Sequence, residues 1–125
     1  MGRFPIPACW FHLGAAIACR TWKRAGTSFE PQNEPNKVFY LAAVPGLLDS
    51  VKAAFGEVKG LTIGSGRYAG ELFNIVKDGF KACGFFGSNY FFHTRQDKAT
   101  ETSPELLDPV GKGLVKFFKN LENPQ

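Results

Sequence analysis

Closely spaced cysteines, concentrated blocks of positive charge and apolar runs of membrane-spanning length are all missing from this chain. Its three cysteines, Cys9, Cys19 and Cys83, are odd in number and far apart. That excludes a secreted disulfide scaffold and points to a reducing or indifferent compartment. Each reads as a small buried hydrophobe. Cys9, His12 and Cys19 have the right chemistry for zinc, but neither a Cys-x-x-Cys pair nor a second ligand cluster completes four ligands, so no metal is expected. The formal net charge of +4 is scattered, and the longest basic cluster is Arg20-Thr-Trp-Lys-Arg24. This is not the basic stripe of a nucleic-acid binder, whereas weak attraction to anionic lipid explains it equally well. Paired acids and nucleophilic triads are also lacking. Cys83 and His93, the one imaginable dyad, would lie about 15 Å apart along a helix, beyond hydrogen-bond reach. The expectation is no enzyme, no cofactor, no nucleic acid and no small-molecule substrate.

What is present is apolar. Hydrophobic residues make up 44% of 125 positions against 21% charged, which argues for a folded chain of one domain or less. The count of 13 Phe is high, and it comes with 14 Gly. Phe lacks a polar handle and seeks full burial. A short chain has little interior, so the excess suggests apolar surface satisfied from outside.

Positions 1–26 form an apolar segment with a basic end. Phe4–Cys19 is nearly all apolar and spans 16 residues, short of the roughly 20 that cross a bilayer. Only Arg3 precedes it, while Arg20, Lys23 and Arg24 follow, the reverse of a secretory signal. Pro5 and Pro7 break any helix at its start. The absence of acid before Glu30 partly fits a mitochondrial transit peptide, although Ser is scarce. Ile6 spoils a myristoylation signal.

Residues 27–37, with two Pro and two Asn, read as a linker. Over 38–60, Leu47, Leu48, Val51, Phe55 and Val58 recur at helical spacing, with Pro45 in the first turn and Gly60 at the end. That face buries against protein or lies on a membrane surface. Residues 61–70 resemble a glycine-rich phosphate loop, but the preceding apolar run is three residues long and the required acid is missing. They read instead as a hinge between two helices. After a loop at 97–103, Ser103-Pro104-Glu105 starts an amphipathic helix over 104–121, with a kink expected near Pro109. Its apolar side docks on protein with a solvated Lys face or, in a sharper reading, enters a membrane interface.

Residues 71–96 carry the main expectation, a membrane helix. The stretch from Ala82 to Phe92 has no charge, yet its 11 residues are too few to span, and extension back to Leu72 brings in Lys77, Asp78 and Lys81. Gly79, Cys83 and Gly87 fall on one helical ridge, with Gly84 and Ser88 beside it. Such small-residue ridges let membrane helices pack closely. Tyr90, His93 and Arg95 suit an interfacial belt.

An amphipathic helix after Pro45, then Gly84-Phe85-Phe86 and a basic end at Arg95, is similar to the mitochondrial ATP synthase subunit g family over 44–95. Asn89 and His93 stand where that family has a glycine pair and Tyr90 where it has an acid, so the ridge at Gly79, Cys83 and Gly87 would have to substitute. The resemblance implies a non-catalytic inner-membrane subunit that partners subunit e, supports dimerisation of the synthase and helps curve the membrane; the residues themselves read as a mostly α chain, with other subunits of a membrane complex and lipids as its partners. An accessory subunit of another respiratory complex such as complex I, or a small soluble domain binding an apolar ligand or peptide, fits the same features.

Overall fold

Phe39-Tyr-Leu-Ala-Ala43 and Ala82-Cys-Gly-Phe-Phe-Gly87 carry no charge, and each is a central strand of a four-stranded sheet. A strand covered on both faces takes apolar residues at odd and even positions alike, so it shows no alternation. The structure, a computed structural model, describes residues 9–89, 91, 94–95 and 98–122. In chain order the elements are β1 (Trp10–Leu13), β2 (Arg20–Ala25), β3 (Ser28–Pro35), β4 (Phe39–Ala43), α1 (Pro45–Phe55), β5 (Thr62–Gly64), α2 (Glu71–Lys77), β6 (Ala82–Gly87), a 3-10 turn (Ala99–Glu101) and α3 (Pro104–Glu122). The sheet order is β1-β6-β4-β5. β1 runs parallel to β6, β6 antiparallel to β4, and β4 parallel to β5 through the crossover helix α1.

One face of the sheet packs on α1 and α3. Phe39, Leu41 and Ala43 of β4 and Cys83 and Phe85 of β6 meet Leu47, Val51 and Phe55 of α1 and Val110 and Phe117 of α3, all buried. The rings of Phe11, Phe39, Phe55, Phe85 and Phe117 pack with neighbouring centroids 5.1 to 6.4 Å apart. Much of the Phe excess is therefore satisfied inside the chain, although Phe29, Phe73, Phe80 and Phe118 stay exposed. The other face is only partly covered: Leu72 of α2 seals Ala42 and Ala82, with Tyr68, Ile75, Val76 and Phe86 around them.

The fold corrects the expectation of a mostly α chain, because strand accounts for 31% and helix for 37% of the described residues. It also corrects the membrane helix over 71–96, with the transmembrane role attached to it. No helix among the described residues is long and apolar enough to cross a membrane. The segment divides into α2, a turn and β6. Gly79 adopts φ +87°, and its N–H donates to Val76 O while Phe80 N–H donates to Ile75 O, the double bond pattern that closes a helix on a left-handed glycine. Cys83, Gly84 and Gly87 follow in β6, and Ser88 just after it, so no helical ridge forms. The glycines still permit close approach, but of other partners. A Cβ on Gly84 would come within 2.7 Å of His12 on β1, and one on Gly87 would strike the Val38 carbonyl.

Residues 27–37 are no linker. Gly26, at φ +65°, and Thr27 form the two-residue turn between paired Ala25 and Ser28, and the chain returns along β2 as β3. Pro31 and Pro35 are tolerated because β3 is an edge. The helix expected over 38–60 is β4 followed by α1, which ends at Phe55. α3 matches its expected start and runs through Pro109 to Glu122.

Candidate functional site

The partly covered face leaves an opening where β4, β5 and β6 meet. Tyr40 and Phe86 are direct partners in the antiparallel β4–β6 register, so both side chains leave the sheet on the same face. Their rings stack with centroids 5.1 Å apart and planes 19° from parallel. Beside them Thr62 and Gly64 of β5, with Ser65 and Arg67 of the following loop, close a cavity of about 200 Å³. Its walls are largely apolar.

The loop is held by short-range chemistry. Gly66 and Gly70 take φ of +93° and +60°, which lets the chain turn sharply between β5 and α2. The Ser65 hydroxyl and Tyr68 hydroxyl lie 3.2 Å apart, and the Tyr68 O–H donates to Ala43 O at 3.4 Å. These contacts tie the loop to the end of β4. The Arg67 guanidinium carbon then sits 5.7 Å from the centre of the Tyr40 ring, within cation–π range. Arg67 is exposed, so its charge is at the cavity rim.

The glycine-rich stretch is thus not a hinge between two helices. It joins a short strand to a short helix. Glu71 places negative charge at the first residue of α2 and meets His12 Nε2 at 3.2 Å, which disfavours an anion there.

Cys83 lies on the opposite, core-facing side. Desolvation in the core, helped by nearby Cys9, pushes its thiol up to about 12. Cys9 is also raised by burial, with Lys81 pulling the other way. Neither is a thiolate nucleophile at neutral pH. Cys19 is buried elsewhere, bridged to Thr102.

Of the expected site residues, Gly84, Gly87 and Ser88 lie on or beside β6, and Gly79 lies at the end of α2. Arg95 is exposed in a turn, while Tyr90 and His93 fall outside the described residues. Gly84-Phe85-Phe86, the core of the family resemblance, is strand and not membrane helix. Tyr40, Arg67 and Phe86 were not expected to act together. Reading 39–43 and 82–87 as strands would have put Tyr40 with Ala42, and Phe86 with Gly84, on one face of each strand, but only the long-range β4–β6 pairing sets Tyr40 and Phe86 side by side.

A second cavity, about 250 Å³, lies between the β2–β3 hairpin, Val58 and α3, lined by Cys19, Pro35, Phe39 and Glu105 among others. The Lys59–Glu34 ion pair at 2.7 Å ties Lys59 on its wall to the hairpin. It reads as a packing gap between elements. Comparison with protein-family models, curated proteins and solved structures finds no match for this chain.

Proposed function

We propose that this chain is a non-catalytic binding module that holds one flat aromatic ring bearing a negative charge. The observation that carries the reading is the cavity floored by the stacked Tyr40–Phe86 pair, with Arg67 at its rim. Its volume of about 200 Å³ compares with the roughly 150 Å³ that accepts a benzene ring in an apolar protein cavity. Offset or edge contact with two aromatic rings favours a flat π-system over an aliphatic chain of equal size. The guanidinium offers paired N–H donors suited to a carboxylate. Ser65 and Thr62 add hydroxyls near the mouth.

Benzoate is the simplest probe. At ordinary ligand efficiencies its nine heavy atoms give low-millimolar affinity, on the order of −3 to −4 kcal/mol. Titration followed by amide NMR should shift Tyr40, Gly64, Ser65, Arg67 and Phe86 along one saturable curve. Benzamide should bind about fivefold more weakly, and Arg67→Gln should erase that difference, as expected for a solvent-exposed charge pair. The reading is wrong if benzoate, salicylate and indole-3-acetate all leave these amides unmoved, or if the shifts map to another surface.

A further inference from the structure

β5 ends the sheet, and the bond directions of its neighbours fix what its outer side presents. Val38 O accepts from Ser88 N–H and Val44 N–H donates to Ala82 O, so the even-numbered residues of β4 turn their backbone groups towards β6. Backbone groups alternate sides along a strand, so Leu41 turns its N–H and C=O towards β5. β5 runs parallel to β4 with Ile63 opposite Leu41. In a parallel pair a residue bonds to the two that flank its opposite number. Leu41 therefore engages Thr62 and Gly64, and Ile63 turns its own N–H and C=O outward. No described strand pairs with that side. An unpaired donor and acceptor at a sheet edge are a template for another extended chain.

The edge adjoins the ring cavity. Leu41 and Ile63 pack with the core, whereas Tyr40, Ala42, Thr62 and Gly64 line the cavity on the other face. Gly64 is exposed, and a Cβ built on it would meet nothing within 4 Å, so the way from the edge into the cavity is open above it. Arg67 stands just past the C-terminal end of β5, exposed and without an ion-pair partner among the described residues.

We infer, building on the ring-binding reading, that β5 takes up an extended peptide as a further strand, and that the ring held in the cavity is the side chain of its C-terminal aromatic residue. Charge sets the direction. A terminal carboxylate lies at the Arg67 end of β5 when the peptide runs parallel to it, and at the opposite end when it runs antiparallel. In the parallel arrangement the last peptide residue stands opposite Gly64. Its N–H donates to Ile63 O, its ring leaves on the Gly64 face into the cavity, and its carboxylate meets the guanidinium. The peptide residue opposite Thr62 accepts from Ile63 N–H through its carbonyl. Backbone bonds then supply affinity whatever the sequence, while the cavity and Arg67 select the terminal residue.

The probe is an acetylated pentapeptide of threonine and valine ending in phenylalanine, titrated into the full chain with amide NMR and hydrogen exchange as readouts. It should bind at least tenfold more tightly than acetyl-phenylalanine, and the Ile63 amide should exchange at least tenfold more slowly once the site is filled. Methylating the terminal residue's amide nitrogen removes the donor to Ile63 O and should cancel that gain. Amidating the terminal carboxylate should cost about fivefold in the wild type and nothing in Arg67→Gln. Gly64→Val closes the way over the edge without a clash inside the chain, so it should abolish peptide binding with an undiminished thermal midpoint. Benzoate separates this from ring binding itself. If benzoate fills the cavity and the peptide gains nothing over acetyl-phenylalanine, strand addition is overturned and ring binding stands; if neither binds, both fall. An Ile63 amide already protected without peptide, in a chain that sediments as a dimer, also overturns peptide addition and gives the edge to a second copy.

Discussion

Cys83 illustrates how one position is decided by its neighbours. Burial beneath α1 and α3 holds its thiol neutral, with a folded-state value of about 12 against an ordinary 9.0. Below pH 9 both folded and unfolded thiols are protonated, and the stabilisation is fully present. As pH rises further, the unfolded chain releases its proton while the buried thiol keeps its own, so stability is lost progressively until the folded thiol titrates. The slope is at most about 1.4 kcal/mol per pH unit. Urea unfolding on either side of pH 9 should show this decline, and Cys83→Ala should flatten it. An equal pH dependence in the two proteins would rule it out. Arg67 and Phe86 are likewise ordinary residues until Tyr40 is placed between them.

Among the elements, the short helix α2 shows how a glycine changes a reading. Gly79, Cys83 and Gly87 match a membrane packing ridge in spacing, but Gly79 is placed just where a left-handed residue closes the helix begun at Glu71. Nothing lies within 4 Å of a Cβ on Gly79, so its requirement is purely conformational. Gly79→Ala should cost about 1–2 kcal/mol in urea unfolding, the penalty of a non-glycine residue in the left-handed region. A neutral substitution would show that the turn can relax. The start of α3 is legible in the sequence, since it depends on Ser103, Pro104 and Glu105, groups adjacent in the chain. The β2–β3 hairpin is hard to read locally because its Gly-Thr turn joins polar strands and Pro31 and Pro35 are tolerated only at an edge.

For the molecule as a whole, the Phe cluster is the main store of stability. Phe85 contacts Phe11, Phe39 and Phe55, and it is fully buried between sheet and helices. Phe85→Ala should cost about 3–5 kcal/mol, a large share of the stability of a domain this size. Denaturant unfolding measures it directly, and a loss below about 1 kcal/mol would mean that the core repacks around the gap. The helices on one side of the sheet bury rings that hydropathy alone would hand to lipid.

Local chemistry was enough to place the start of α3, the Pro45 turn of α1 and the apolar character of the core. Those depend on residues within a turn or two of one another, where capping and periodicity act. The sheet was beyond that reach. β1 pairs with β6 through Trp10 and Ala82, and β4 pairs with β6 through Tyr40 and Phe86, contacts that join distant parts of the chain. A central strand buried on both faces has no alternating pattern to announce it, so its short apolar run is ambiguous until a partner strand satisfies its backbone. The ring-binding cavity shares that dependence, because Tyr40, Arg67 and Phe86 come from two strands and a loop that only the completed sheet sets side by side.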